Sequence, residues 1–242
     1  MDRQSTRSEV EVWEDPAAAW SIGAADRLRK LGFSVSSVRS PLEARPEAAP
    51  AVVVVNALLP EDCLDHCLEL HRAALREHSL LGLVLGRSIS SARRSQLRRA
   101  GFSLQVLAPI DQGALRFQVG RGFLARRKPG ATRRELRAPV PWAARALASS
   151  RQKHVSVYNL SPGGAYLETP RPWLSGTRLR LELAGVGLSG GISGRVVHTN
   201  VPGNLMNRRA PVGMGVHFEE ASAEQLRAIE AAVRRQSERL LL

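Results

Sequence analysis

The chain has 242 residues, 43% of them hydrophobic and 24% charged, so it has globular composition and wholesale disorder is excluded. At roughly 100–200 residues per domain it holds one large domain or two modest ones. The net charge of +13 is uneven: residues 1–125 carry 16 Lys/Arg against 14 Asp/Glu, while residues 126–242 carry 19 against 8. A basic second half implies an anionic partner, but charge alone does not separate nucleic acid, nucleotide and lipid headgroup. No apolar run approaches the roughly 18 residues needed to span a bilayer. The N-terminal stretch MDRQSTRSEVEVWEDP is polar and acidic, unlike a secretory leader, and the expected location is the cytoplasm. Two cysteines, Cys63 and Cys67, are too few for a disulfide scaffold.

In chain order, Glu9 to Trp13 predicts a short strand, and residues 17–31 carry apolar residues at helical spacing up to Gly32. Phe33 to Val38 alternates as a strand. After a Pro- and Ala-rich loop, the unbroken run Ala51 to Val55 predicts a strand buried on both faces of a parallel sheet. A helix over 61–78, a strand over Leu80–Leu85, a helix over 90–100, a strand over Leu104–Leu107 and a helix over 111–125 follow. Five strands alternating with helices in about 120 residues predict a doubly wound α/β domain with a five-stranded parallel sheet.

This organisation, over residues 8–125, resembles the receiver domains of response regulators. The acidic pair expected after the first strand is matched by Glu14-Asp15. The phosphoacceptor aspartate that the resemblance implies at the end of the third strand is replaced by Asn56. Gly86 and Arg87 stand where a hydroxyl residue closes the fourth strand, with Ser88 displaced, and Ala108 replaces the lysine before Pro109. An amide cannot attack a phosphoryl group, so the expectation is a pseudo-receiver that keeps the fold without phosphotransfer and offers an interaction surface. An unrelated open α/β domain is the competing reading.

Cys63, Cys67 and His71 fall at i, i+4 and i+8 of one predicted helix, with His66 beside them. Zinc takes such ligands but wants three or four converging ones, and partly buried helix residues are the preferred explanation of the pattern, so no metal is expected. Arg93, Arg94, Arg98 and Arg99 make a basic helix, read as a solvated face, with docking of an acidic partner as the alternative.

Arg126-Arg127-Lys128, Arg133, Arg134 and Arg137 put six cations and one acid into twelve residues, a basic arm expected over 126–138. Beyond Pro141 the period changes from helical to two. Val155–Asn159, Ala165–Glu168, Thr177–Leu183, Ile192–His198 and Val212–Phe218 alternate as strands, and Ser161-Pro162-Gly163-Gly164 supplies a turn. The alanine-rich stretch 142–154 reads as less strand-like. The last helix opens at Ser222 with Gln225 three residues on, a capping box, and Leu240-Leu241-Leu242 offers apolar surface to a partner or a second copy of the chain. The expectation for 139–242 is a small antiparallel β-barrel with a C-terminal helix.

Arg133-Arg134-Glu135-Leu136-Arg137 followed by Asn159-Leu160-Ser161-Pro162-Gly163-Gly164 resembles the RxxxR and [D/N]xSxxG motifs of PilZ domains, in the right order and ahead of the right closing strand, Gly213 to Phe218. That resemblance, over 126–235, implies binding of cyclic di-GMP by Arg133, Arg137 and the assisting Arg134, together with Asn159, Ser161 and Gly164. Guanidinium forks suit this ligand, because they pair bidentately with phosphate or with the O6/N7 edge of guanine. Gly164 is expected to let the ligand or the turn approach the backbone, and Gly163 to serve the turn alone.

The leading expectation is a non-catalytic second-messenger effector that relays ligand binding to a protein partner through the pseudo-receiver. A PilZ-fold protein-interaction scaffold without nucleotide binding is the alternative. Specific nucleic-acid binding is not expected, since no row of stacking aromatics or helix-turn-helix is present. No nucleophile–base pair or paired carboxylate constellation in the second half suggests an enzyme, and none is expected.

Overall fold

The computed structural model describes residues 10–14, 21–39, 50–61, 63–66, 69, 81–127, 136–186, 190–204 and 209–242, with side chains 124–127 excepted. The chain divides into two compact units: residues 1–131 with 240–242, and residues 132–239.

The first unit is a five-stranded parallel sheet with helices. Its strands are β1 (Val10–Trp13), β2 (Val35–Val38), β3 (Val52–Asn56), β4 (Leu81–Gly86) and β5 (Leu104–Leu107), arranged in the order β2-β1-β3-β4-β5. This is the 2-1-3-4-5 order of flavodoxin-like doubly wound folds, with the switch point between β1 and β3. β3 is buried at every residue, as its unbroken valine run predicts.

Helices α1 (Ala24–Lys30), α2 (Ser91–Arg99) and α3 (Gln112–Arg127) accompany the sheet, and residues 61, 63–66 and 69 are helical. Residues 21–23 are not helical, so α1 starts later than its spacing predicts, at Gly23 with φ 63°. The alternating valines of β3 enter two separate cores: Val52 and Val54 pack with Leu28, Leu115 and Val119, and Val53 and Val55 with Leu97 and Phe102.

The tripeptide 240–242 belongs to this unit. Leu241 bridges Leu104 in antiparallel sense. The Gln105 N–H donates to the Leu240 carbonyl at 2.9 Å and the Leu242 N–H to Ser103 O at 3.0 Å. Leu240 lies in one core and Leu242 in the other, so two of the three leucines read above as free apolar surface are buried, and only Leu241 is exposed.

The second unit is a closed six-stranded antiparallel barrel in the order β10-β11-β8-β7-β6-β9, with a C-terminal helix. Its strands are β6 (Trp142–Ala148), β7 (Arg151–Ser161), β8 (Gly164–Glu168), β9 (Arg178–Leu183), β10 (Ile192–Asn200) and β11 (Gly213–Glu220). Residues 142–154 form most of a hairpin, against the expectation that they are poor strand. Alanine has low strand propensity, but Ala144, Ala146 and Ala148 point alternately into the barrel core, where small side chains fit.

Helix α4 (Ala223–Arg239) opens on the expected capping box: the Gln225 N–H donates to Ser222 Oγ at 3.1 Å and the Ser222 N–H to Gln225 Oε1 at 2.9 Å. Of its buried residues Ile229, Ala232 and Val233, Ile229 and Val233 pack into the barrel core. The helix stops at Arg239, short of the expected 242. Among the described residues no helix is long and apolar enough to cross a membrane.

Candidate functional site

The site on the second unit is built by two β-bulges. In β7, Val157 pairs with Leu167 and Asn159 with Tyr166, which leaves Tyr158 as the extra residue. In β10, Val196 pairs with Val216 and His198 with Gly215, which leaves Val197 extra. Bulges re-aim side chains and recur beside functional sites. Because Tyr166 also pairs with Gly215, the registers bring Asn159, Tyr166, Gly215 and His198 into one row across β7, β8, β11 and β10. Neighbours Leu160, Leu167 and Val216 lie in the barrel core, so by strand alternation Asn159, Tyr166 and Gly215 face outward, and the bulge at Val197 turns His198 to the same side, where its ring meets Gly215.

Adjacent rows on the same face run Ser161, Gly164, His217, Arg195 on one side and Ser156, Glu168, Gly213, Asn200 on the other. The glycines keep this face low. A Cβ at Gly164 would stand 2.2 Å from Val216 O, one at Gly213 2.1 Å from Leu167 O, and one at Gly215 2.1 Å from the His198 ring. The His198 imidazole therefore lies across bare backbone, 5.8 Å from the Tyr166 ring.

Arg137 reaches this row because of its neighbour. β6 pairs with β7 only as far as Val157, and beyond it Ala138 takes the open edge, exchanging two backbone hydrogen bonds with Leu160 at 3.1 and 2.9 Å. That places the Arg137 side chain over the row, where Nη1 donates to Asn159 Oδ1 at 3.4 Å. The same guanidinium acts on His198: burial first, and then the Arg137 charge, hold the imidazole pKa below its usual value.

Burial pushes the Tyr166 phenol up to about 12, with Glu168 adding to the rise and a hydrogen bond with Asn200 opposing it. Tyr166 Oη donates to Pro211 O at 2.7 Å, and Asn200 Nδ2 donates to Ala210 O and Pro211 O at 3.2 and 3.1 Å. These bonds pin the end of the long segment before β11 beside the row.

Of the residues predicted from sequence, Arg137, Asn159, Ser161 and Gly164 come together, while Arg133 and Arg134 lie outside the described residues. Ser161 is fully buried and its hydroxyl donates to Gly164 O at 3.3 Å, across the Pro162-Gly163 turn, so its contact here is with the turn. Gly164 meets the β11 backbone, which explains the absence of a Cβ without a ligand. Tyr166, Gly215 and His198 escape sequence reasoning. Their signal is faint: His198 sits in an alternating strand, and only the register of four strands reveals its neighbours.

On the first unit, Glu14 and Asn56 stand at the C-terminal ends of β1 and β3, flanking the switch point. Both are engaged locally. The Glu14 carboxylate accepts from the backbone N–H groups of Ile22 at 2.5 Å and Ala24 at 2.7 Å, at the start of α1. Asn56 Oδ1 accepts from the Leu58 N–H at 2.9 Å. Arg93 from α2 donates to the carbonyls of Ala57, at 3.0 Å, and Leu59, clamping the loop after β3. Asp15, Cys67 and His71 lie outside the described residues, and among the described ones no group of three His, Cys, Asp or Glu side chains could hold a metal ion.

The family model of the PilZ domain matches residues 131–235, and the barrel is a PilZ domain. Solved structures resemble part of the chain. They include the Bacillus subtilis inhibitor of motility MotI (DgrA), at 18% identity over 44% of this chain and 52% of that one with a TM-score of 0.36. Escherichia coli YcgR in complex with c-di-GMP is similar at 16% over 44% and 46% with a TM-score of 0.35. The isolated PilZ domain of YcgR with c-di-GMP is similar at 16% over 44% and 92% with a TM-score of 0.33. The chain thus matches about half the length of MotI and of full-length YcgR. No curated protein matches it.

Proposed function

We propose, from the PilZ domain at residues 131–235, that the chain is a non-catalytic effector that binds cyclic di-GMP on the outward face of its barrel. One observation carries this reading. Arg137 and Asn159, one from each of the two sequence motifs and 22 residues apart, meet in a hydrogen bond over a row of low, glycine-floored backbone. A guanidinium and a side-chain amide beside a bare strand face suit a ligand with anionic phosphodiesters and flat bases bearing hydrogen-bonding edges. In this reading Arg133, Arg134 and Arg137 supply the phosphate and guanine contacts. Asn159 supplies a base-edge contact, and Ser161 and Gly164 shape the turn that presents it.

Arg133, Arg134 and Arg137 open the second unit, directly after the division at residues 131–132, so ligand capture acts next to the connection between the units. The first unit is read as a pseudo-receiver that passes the signal to a protein partner in the cytoplasm. Its 2-1-3-4-5 sheet order and the amide at Asn56 support that reading. Glu14 and Asn56, tied to backbone N–H groups, act there as structural caps and not as phosphotransfer residues.

Calorimetric titration of the full chain with cyclic di-GMP tests the proposal. Saturable binding that is lost in Arg133→Ala and weakened in Arg137→Ala is the expected result. A wild-type chain that gives no binding heat and no displacement of a labelled ligand would leave a protein-interaction scaffold in its place.

A further inference from the structure

We propose that His198 is a ligand contact of this site, an imidazole that donates to the anionic dinucleotide from the strand farthest from Asn159. The inference rests on the cyclic di-GMP reading above and extends it to a residue outside both motifs. Three observations lead there. Strand register places His198 at the end of the row that begins at Asn159 and passes through Tyr166 and Gly215. The absence of a Cβ at Gly215 lets the ring lie down across β11, so its half-buried edge borders the face that Arg137 overhangs. Arg137 bonds Asn159 at one end of the row and also acts electrostatically on His198 at the other.

The chemistry that follows is a coupling of protons to ligand. With the face empty, burial first and the Arg137 charge second both disfavour a positive charge on His198. A ligand with two phosphodiester charges arriving against both groups removes that repulsion and favours the imidazolium, which donates from both ring nitrogens. Binding then takes up a proton, and affinity rises as pH falls.

Among the described residues, the other charged or titratable groups in the strand rows of this face are Tyr166 and Glu168 on β8, His217 on β11 and Arg195 on the same strand as His198, with Tyr158 of the β7 bulge packed edge-on against Tyr166 and Arg195 ion-paired to Glu219. Of these, only His217 shares the imidazole chemistry, and it stands one row away.

The test is calorimetry of the full chain with cyclic di-GMP at about pH 6 and about pH 8, in buffers of different ionisation enthalpy, on wild type, His198→Gln, His198→Ala and His217→Gln. Wild type is expected to bind several-fold tighter at the lower pH, with net proton uptake. His198→Gln keeps a neutral hydrogen-bonding side chain and should bind at the higher pH while losing both the pH dependence and the uptake. His198→Ala should lose about tenfold at the lower pH, and His217→Gln should titrate like wild type. Wild-type binding without proton uptake, with His198→Ala equal to wild type, overturns this inference and leaves the site reading standing. A wild type that binds at neither pH overturns both. Thermal unfolding of each variant separates loss of contact from loss of fold.

Discussion

Arg137 Nη1 lies 3.4 Å from Asn159 Oδ1, a contact between residues 22 positions apart that is set up by the pairing of Ala138 with Leu160 one residue further along each segment. The pairing is backbone to backbone, so it does not depend on the arginine, and removing the guanidinium should leave the barrel intact. Arg137→Ala is therefore expected to lose about 1.5–3 kcal/mol of cyclic di-GMP affinity, the range for hydrogen bonds to charged groups, at an unchanged unfolding midpoint. Arg137→Lys should recover only part of it, because an ammonium lacks the bidentate fork. Isothermal titration with parallel thermal denaturation checks both statements.

Gly164 and Gly215 look alike in sequence but answer to different neighbours. A Cβ at Gly164 meets the Val216 carbonyl, which belongs to a paired strand and cannot yield without moving β11. Gly164→Ala should therefore destabilise the barrel by about 1–3 kcal/mol, the usual cost of overpacking. The nearest atoms to a Cβ at Gly215 all belong to the His198 ring, a side chain that can turn. Gly215→Ala should displace that ring, cost less stability and weaken the ligand. Equal effects of the two variants on stability, read from denaturant midpoints, would contradict the assignment.

Leu240 and Leu242 enter the two cores on opposite faces of the first unit's sheet while the backbone between them pairs with the segment around Leu104. Truncating either buried leucine to alanine should cost the first unit about 2–5 kcal/mol. The Gln105 amide, whose acceptor is Leu240 O, should exchange with solvent faster in both variants. Leu241→Ala, at an exposed position, is the matched comparison and should change little.

Tyr166 gives an alkaline signature. Its phenol is held up to about 12, so between the unfolded value near 10 and that value the folded state retains a proton that the unfolded state has lost. Stability should fall as pH rises through this window, and spectrophotometric titration should find one of the chain's two tyrosines ionising about two units late. Tyr166→Phe should remove the late step and, by leaving the Pro211 carbonyl with only its bond from Asn200, loosen the end of the segment before β11.

The architecture was legible in local pattern: the valine run of β3, the polar–apolar alternation of β9 and the capping box at Ser222 each announced an element through short-range spacing. Residues 142–154 did not announce themselves, since alanines become strand only where a closed barrel supplies an inward face for small side chains. The end of the last helix was also hidden. Nothing local separates Arg239 from Leu240, and only the two cores of the other unit draw the final residues out of the helix.

The sequence by itself determined two domains, the concentration of charge in the second, and the pairing of an arginine motif with an Asn-x-Ser-x-x-Gly turn, because each is written in residues close along the chain. Tertiary structure decided which of those residues meet. Two single-residue bulges, at Tyr158 and Val197, fix the register of four strands, and a shift of one residue would turn Asn159, Tyr166 and His198 into the core. Bulges and cross-strand register depend on contacts between distant segments, and no local spacing records them.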